Sequence, residues 1–349
     1  MRVAAVGTAF PRHYYDQETL LAAFRRHWQG RLFNLGRLES LHRSVLVGGR
    51  HLALPIEEYP RLGSWGEAND AWIRVSLELG AEAITGALKA AGLTVDDVGS
   101  LIFVSVTGVA TPSIDARLTN RLGLPADVRR VPIFGLGCVA GAAGLARAAD
   151  FVRAYPDKVA VLLSVELCSL TLQREDFSMA NLISSGLFGD GAAAVAVAGA
   201  ERRSDGPRIL DTRSVFYPDS EELMGWRVSD QGFGVVLSPE VPEVARRLLA
   251  ADVDAFLGDH GLERSQIRSW VAHPGGPKVL EALEEGLELP PEALSLAWDS
   301  LRRTGNLSST SVLLVLEETM RSARPEPGEL GLLFAMGPGF CSELVLLEW

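Results

Sequence analysis

Short apolar runs, each bounded by turn residues, recur along the chain. Three of them begin at Leu101 (LIFVSV), Val159 (VAVLLSV) and Ala192 (AAAVAVAG). Runs of this length that are rich in Val, Ile and Leu indicate strands buried on both faces of a sheet. Residues 76–92 instead space their apolar positions at three and four and end at Gly92, which predicts a helix with a glycine cap. The alternation of these two patterns predicts an α/β protein.

The same order of elements recurs in the second half of the chain. Residues 244–261 have a helical pattern, and residues 267–271 follow as a predicted strand. The halves also end alike, with LFGDGAAAVAVAG and LLFAMGPGFCSELVLLEW, each of which suggests a strand, a glycine turn and a second strand. Charge, Gly and Pro cluster in ERRSDGP at residues 201–207. We therefore expect a duplicated α/β unit with halves at residues 1–205 and 206–349.

The composition narrows the classes of partner and compartment. Lys and Arg total 33 and Asp and Glu total 44, so the net charge is −11 and a nucleic acid is a poor partner. The apolar runs are shorter than the roughly 18 residues of a membrane span. Three cysteines without CxxC spacing argue against disulfides and a four-cysteine metal site. The first residues lack the apolar stretch of a secretion signal. We expect a cytoplasmic protein with no transmembrane segment and no bound metal.

Cys138 is the first candidate for chemistry. It follows Gly135 and Gly137 and precedes a run of small residues, which predicts a tight turn into a helix that can be buried. A cysteine in the first turn of a helix lies at the positive end of its dipole, and a nearby imidazolium would stabilise its thiolate further. Such a residue can act as a nucleophile. It can equally be a small apolar residue in a packed helix.

His273 and Asn306 offer the groups that such a nucleophile needs. His273 ends a predicted strand and precedes a Pro-Gly-Gly loop, at the edge of the sheet where α/β proteins bind ligands. A lone histidine is more often structural than catalytic, and that interpretation stays open. Asn306 stands before a run of Ser and Thr, where it either caps a helix or donates a hydrogen bond to an oxyanion.

Together, Cys138, His273 and Asn306 are a more specific signal of function than any one of them alone. His273 comes 135 residues after Cys138, and Asn306 comes 33 residues later. In chain order, GLGCVAGAAGL, LFGDGAAAVAV, AHPGGPKVL, GNLSSTSVL and MGPGF resemble the signature segments of type III polyketide synthases, the chalcone-synthase-like branch of the thiolase fold. The resemblance covers nearly the whole chain. Three more segments, ELCSLTLQ, TGVATPSID and MGWRVSDQGF, are most similar to bacterial alkylpyrone and alkylresorcinol synthases.

The resemblance implies a fold and a catalytic set. The fold would be thiolase-like, with five layers, α/β/α/β/α, made of two similar halves that enclose the active site. Cys138 matches the nucleophile that accepts the acyl group. His273 matches its thiolate partner and one oxyanion donor, and Asn306 matches the second donor.

Other family positions imply contacts with the substrate. Phe188 matches the aromatic residue between the CoA tunnel and the reaction cavity, although a core aromatic has the same pattern. Gly337, Pro338 and Gly339 match the loop that shapes the cavity floor, or form a plain turn. Cys168 either lines the tunnel or is a buried structural thiol.

The chain also departs from the pattern of the plant enzymes. Val235 replaces a second gatekeeping phenylalanine, so we expect a different pocket entrance. The basic residues that meet the CoA phosphates are expected within the first 60 residues, where Arg43 and Arg50 are weak matches. Residues 107–112 match the segment that reaches across the family's dimer interface.

The reaction implied by the resemblance needs no metal or organic cofactor. A starter acyl-CoA loads Cys138, malonyl-CoA loses CO₂, and the resulting enolate attacks the bound acyl group. We expect a medium or long fatty acyl-CoA starter, about two extensions and closure to an alkylpyrone, carried out by a homodimer. An initiating ketoacyl carrier protein synthase, which shares the fold and the Cys, His and Asn set, is the alternative. A cysteine hydrolase and a non-catalytic scaffold of the same fold are weaker alternatives.

Overall fold

A computed structural model describes residues 1–32 and 34–349, in which strands and helices alternate. The strands are β1 Arg2–Ala9, β2 His13–Asp16, β3 Gly49–Leu52, β4 Val98–Val104, β5 Arg129–Ile133, β6 Val159–Leu167, β7 Asp190–Ala198, β8 Arg208–Phe216, β9 Met224–Ser229, β10 Gly232–Leu237, β11 Ile267–Ala272, β12 Leu330–Gly337 and β13 Cys341–Glu348. The helices are α1 Gln17–Trp28, α2 Leu35–Ser44, α3 Trp65–Ala90, α4 Ile114–Leu122, α5 Ala140–Ala154, α6 Met179–Leu187, α7 Val241–Asp259, α8 Pro277–Leu287, α9 Ser295–Thr304 and α10 Ser311–Ser322.

The strands of the two halves follow the same spatial order. The first half has the order β5-β4-β6-β7-β1 and the second has β11-β12-β13-β8. In each half two neighbouring strands are parallel, β4 with β6 in the first and β11 with β12 in the second. The next strand in the sheet, β7 or β13, is antiparallel to them. The half-sheets join where Arg2 pairs with Arg208. This repetition agrees with the predicted duplication. The proposed division at residues 205 and 206 falls in the loop between β7 and β8.

Helices α5 and α10 form the central layer between the two half-sheets. Helix α5 contacts β4, β6 and β7 of the first half and β8, β12 and β13 of the second, while α10 contacts β1 and β7 as well as β11 and β12. Helix α3 covers β1, β6 and β7 from outside, and α7 packs with α8 in the core cluster that contains the C-terminal strands. The layers place the amino end of α5 deep inside the protein.

Two sequence predictions need adjustment. The first half does not end in a hairpin, because the residues before Gly189 form α6, whose cap Ser178 accepts a hydrogen bond from the backbone of Asn181 at 3.3 Å. The hairpin predicted at the end of the second half is present as β12 and β13. Helix α3 begins well before residue 76, because the Ser64 side chain caps it by accepting from the backbone of Glu67.

Small residues let α5 approach α10 closely. A methyl group added at Gly141 would overlap the backbone oxygen of Ser309 and would lie 2.7 Å from the Val312 Cγ1 atom. The backbone of α5 therefore touches the turn that leads into α10, which leaves no room for a side chain. This contact sets the position of the first turn of α5.

We expect Gly141→Ala to destabilise the fold, although alanine favours helix. The new methyl group meets backbone that must shift, and overpacking of this kind costs about 1–3 kcal/mol. Gly258→Ala is the matched control, because Gly258 also lies in a helix and a methyl group there meets nothing within 4 Å. The control should be neutral or more stable by up to about 1 kcal/mol. Thermal unfolding compares the two variants, and equal melting temperatures would contradict the proposed close contact.

Candidate active site

Cys138 lies in a turn that glycine makes possible. A single 3₁₀ turn, Gly137–Val139, runs directly into α5 and carries the buried Cys138. Gly137 has a φ of +55°, a region that disfavours other residues, and a methyl group there would lie 2.7 Å from the Pro338 Cδ atom. The predicted tight turn into a buried helix is therefore present, with the cysteine at its start.

His273 continues β11 by one residue. Its backbone N–H donates to the Phe334 oxygen on β12 at 3.1 Å, which extends the ladder between the two strands and fixes the start of the loop. The ring is buried, and neither ring nitrogen has a hydrogen-bond partner within the described residues. A buried imidazole with two unused nitrogens is unusual for a structural histidine, because buried polar groups are normally paired.

Asn306 forms hydrogen bonds through both ends of its side-chain amide. Its Oδ1 atom accepts from the Ser308 backbone at 2.8 Å, as a capping residue would, and its Nδ2 atom donates to the Gly275 oxygen at 3.0 Å. Its own backbone bonds to Leu187 and Gly189 at 2.9 and 3.0 Å. The side-chain amide has a second hydrogen, and the Asn306 side chain also hydrogen-bonds the Cys138 thiol.

These three side chains line one cavity of about 560 Å³. Most of the other lining residues are apolar and come from α2, α6, β10, the start of α7 and the ends of β9 and β12. Pro338 is also in the lining, beside the fully buried Phe340. The cavity therefore brings a thiol, an imidazole and an amide together in surroundings of low polarity.

Burial opposes charge on both titratable groups. It raises the pKa of the Cys138 thiol to about 12, against smaller stabilising contributions from hydrogen bonds of Ser308 and Asn306, and it lowers the pKa of the His273 imidazole to about 4. Burial alone thus keeps the pair neutral, in contrast to the thiolate that its position at a helix start suggests. A thiol in these surroundings needs a base to take its proton before it can act as a nucleophile, and His273 is the imidazole that lines the same cavity.

Glu166 is a buried carboxyl group near the thiol. Its Oε2 atom accepts from the backbone of Val106 at 3.1 Å and from the Thr107 hydroxyl at 2.9 Å, and its Oε1 atom accepts from the Ser309 hydroxyl. Burial raises its pKa to about 7 despite these bonds, and its charge raises the pKa of the Cys138 thiol. The network ties β6 to the turn before α10, which Gly141 of α5 contacts.

A second, smaller cavity of about 120 Å³ adjoins the first. Cys168, Phe188, Trp226 and Val235 line both cavities and form what we call the shared wall. Trp226 and Val235 are directly opposite each other in the ribbon of β9 and β10. The Trp226 indole donates to the Val106 oxygen at 3.0 Å, which anchors the ribbon over the cavity.

The structure places the predicted floor loop beneath the cysteine turn. Gly337 ends β12, and a methyl group there would lie 2.7 Å from the Val139 backbone nitrogen. Gly339 has a φ of +73°, which supports the turn into β13. Of the loop's three residues, Pro338 reaches the cavity lining, while Gly337 and Gly339 shape the backbone around it.

Other functional positions did not emerge from the sequence. Trp226 and Ser308 lie in segments that the resemblance includes, but nothing in their local pattern places their side chains in the cavity. Arg50, a weak match for a phosphate contact, is instead buried and donates to Gln17 and to the Gly186 oxygen at 2.5 and 2.7 Å. Its side chain is buried and lines the smaller cavity, so it does not lie at the protein surface.

Comparison with known families identifies the chain. The profile described as chalcone and stilbene synthases, N-terminal domain, matches residues 1–201, and the corresponding C-terminal domain matches residues 209–348. The chain belongs to this family. The predicted membership of the type III polyketide synthases is therefore confirmed, and with it the assignment as an acyl-transferring condensing enzyme.

Two relatives and one solved structure are similar to this chain over nearly its whole length. A 1,3,6,8-tetrahydroxynaphthalene synthase of Streptomyces peucetius subsp. caesius is 54% identical, over 99% of this chain and 93% of that protein. A putative chalcone synthase of Bacillus subtilis (strain 168) is 38% identical, over 99% of this chain and 98% of that protein. The crystal structure of 1,3,6,8-tetrahydroxynaphthalene synthase from Streptomyces coelicolor A3(2), a bacterial type III polyketide synthase, has a TM-score of 0.95 at 32% identity and covers 100% of this chain and 99% of its own. The predicted thiolase-like fold is confirmed.

Among residues 1–32 and 34–349, no helix is both long and apolar enough to cross a membrane. The same residues contain no cluster of three or more His, Cys, Asp or Glu side chains arranged to hold a metal ion.

We expect alkylation of Cys138 at pH 7 to depend on His273. Because burial raises the pKa of the thiol to about 12, a thiol without its base should react slowly, so His273→Ala should lower the rate of iodoacetamide labelling by about tenfold or more. In this variant the rate should also rise about tenfold per pH unit from pH 7 to 9, as the thiolate fraction does. Peptide-resolved mass spectrometry measures the rate, with Cys138→Ser as the blank. Equal rates in the variant and the parent protein would exclude activation by His273.

Proposed function

We propose that the chain joins acyl units by decarboxylative condensation of malonyl-CoA on Cys138. The observation that carries this proposal is the convergence of Cys138, His273 and Asn306 on one apolar cavity. A nucleophile, a base and a neutral donor in surroundings of low dielectric are the groups that thioester chemistry requires.

Loading uses the thiol and the imidazole. His273 takes the proton of Cys138 as the sulfur attacks the thioester carbonyl of the starter, and the hydrogens on His273 and Asn306 bond to the developing oxyanion. The carbon–sulfur bond to CoA then breaks, CoA leaves as its thiol with the proton from His273, and the acyl group remains on Cys138.

Extension uses the two donors again. Malonyl-CoA loses CO₂, and its electron pair moves into a thioester enolate whose oxygen accepts from His273 and Asn306. The enolate carbon attacks the carbonyl on Cys138, a carbon–carbon bond forms, and the carbon–sulfur bond breaks to release the thiolate. The lengthened chain is then attached to CoA and can load Cys138 again. The protein contributes position and charge stabilisation to this sequence.

We further propose that malonyl-CoA provides the starter as well as the extender units. The name of the 54% identical relative gives a product with ten ring carbons and hydroxyl groups on alternating positions, a pattern that fits five two-carbon units. Other relatives at 32–34% identity are named for 1,3,6,8-tetrahydroxynaphthalene, 3,5-dihydroxyphenylacetyl-CoA and phloroglucinol, none of which carries an alkyl tail. These names favour a hydroxylated aromatic product. The bulk of Trp226 at the shared wall is in keeping with a short starter.

The alkylpyrone prediction remains as the second candidate. The observation in its favour is the smaller cavity behind the shared wall, which is lined largely by apolar side chains and would give an alkyl chain room beyond Cys168.

The homodimer and the cytoplasmic location also stay predictions. The sheet ends at β5, whose exposed Val131 is followed by the exposed Phe134, and a second copy of the chain would cover these apolar side chains.

The starter is tested by supplying malonyl-CoA alone and then with saturated acyl-CoA thioesters from acetyl to stearoyl. We expect a hydroxylated naphthalene from malonyl-CoA alone, detected by mass spectrometry and absent with Cys138→Ala. Alkylpyrones that form from long starters, with no aromatic product from malonyl-CoA alone, would favour the second candidate. Condensation only with acyl carrier protein substrates would replace both with the initiating ketoacyl synthase.

We expect Trp226→Ala to change the choice of starter. Removal of the indole joins the two cavities, so octanoyl-CoA should gain about tenfold or more in priming relative to malonyl-CoA, because extra room in an apolar pocket favours longer chains. Val228→Ala is the control, since Val228 lies on the same strand but is 61% exposed. An unchanged product ratio in a variant that melts like the parent protein would exclude the wall as a determinant.

A further inference from the structure

The large cavity opens to solvent at a rim that contains one cationic side chain. Four of its lining residues are exposed, and these mark the opening: Ser44, Met179, Pro239 and Lys278. Lys278 is the only charged side chain among the described residues that line the cavity, apart from the titratable His273. A single cation at the entrance of an apolar cavity points to a ligand with negative charge at its outer end.

The fold fixes Lys278 relative to the catalytic loop. It follows His273 by five residues and lies in the first turn of α8, which begins after Gly276, a residue with a φ of +152°. The cap residue of α8 offers no side chain to the first turn, and Pro277 has no N–H. The positive end of the helix dipole therefore adds to the charge of the ammonium group at this point.

The charge of the Lys278 side chain is available to a ligand. None of the ion pairs formed within the described residues includes it, whereas the exposed Arg43 lies 3.6 Å from Glu18. Arg50 is buried in hydrogen bonds to Gln17 and to the backbone of α6. The net charge of −11 repels an anionic substrate, so a local cation has most effect where the substrate enters.

We propose that Lys278 binds a phosphate group of the CoA thioester and thereby sets the affinity for the CoA portion of the substrate. This inference rests on the proposed use of CoA thioesters. The thioester must reach Cys138 inside the cavity, so the nucleotide end of the same molecule stays at the rim. A lysine ammonium there meets a phosphate as a charge-assisted contact. Lys278 thus determines substrate affinity and takes no part in bond making at Cys138.

The kinetic test compares malonyl-CoA with malonyl-pantetheine, which keeps the reacting malonyl thioester and lacks the phosphates. Lys278→Ala should raise KM for malonyl-CoA about tenfold with little change in kcat, and should leave KM for malonyl-pantetheine unchanged. Lys278→Arg should restore most of the affinity, and the loss should shrink as salt is raised. Lys158→Ala is the matched control, because Lys158 is also exposed and is not among the residues that line the cavity.

A rise in KM of equal size for both thioesters would overturn the proposal, since it would place Lys278 at the acyl group or in the fold. A phosphate-dependent loss in Arg43→Ala but not in Lys278→Ala would overturn it as well.

A binding test needs no turnover. The chain has three lysines, Lys89, Lys158 and Lys278, so acetylation by an activated ester can be followed at each of them by mass spectrometry. Free CoA should slow the modification of Lys278 severalfold, pantetheine should not, and the other two lysines should react equally throughout. Equal protection of all three lysines, or none at Lys278, would contradict the proposal. If this test succeeds while malonyl-CoA gives no product, the proposed function fails and the CoA contact stands.

Discussion

The contact on which the site depends is made between backbones. Gly141 touches the turn before α10, and Gly337 touches the turn that carries Cys138, so the first residues of α5 are held from two sides where no other side chain fits. One of these neighbours comes from β12 and the other from the segment after Asn306. Residues far apart in sequence thus line the same cavity. Neither half of the chain contains the complete site.

Burial of the three side chains has two opposite effects: it disfavours charged groups, and it strengthens hydrogen bonds. The surroundings that raise the pKa of the Cys138 thiol and lower that of His273 disfavour a charged pair. The same low polarity strengthens each hydrogen bond that a developing oxyanion accepts. The amide of Asn306 does not titrate, so it can donate a hydrogen bond at any pH in the physiological range.

Local signals in the sequence were sufficient to select the three candidate residues that line one cavity, and insufficient for the rest of its lining. Cys138 and His273 stand at a glycine turn and at the end of a strand, features that a short window of sequence contains. Trp226 lies in a ribbon whose place over the cavity is set by packing and by its bond to Val106, from a segment 120 residues earlier. Lys278 lies in the segment that contains His273, but whether a carboxylate pairs with its side chain depends on residues that only the fold brings near it. The hairpin predicted at the end of the first half was wrong, because the residues before Gly189 form α6, which Ser178 caps.

The ribbon of β9 and β10 forms its own two-stranded sheet, separate from the nine-stranded one. It presents Trp226 and Val235 to the cavity from opposite strands. Substitutions at these two positions alter the space beside Cys138 without touching the strands of the core. Under the proposed role of the shared wall, product identity and foldability would be inherited on different parts of the chain, so a lineage could change what it makes while the folding of its scaffold stays under unchanged selection.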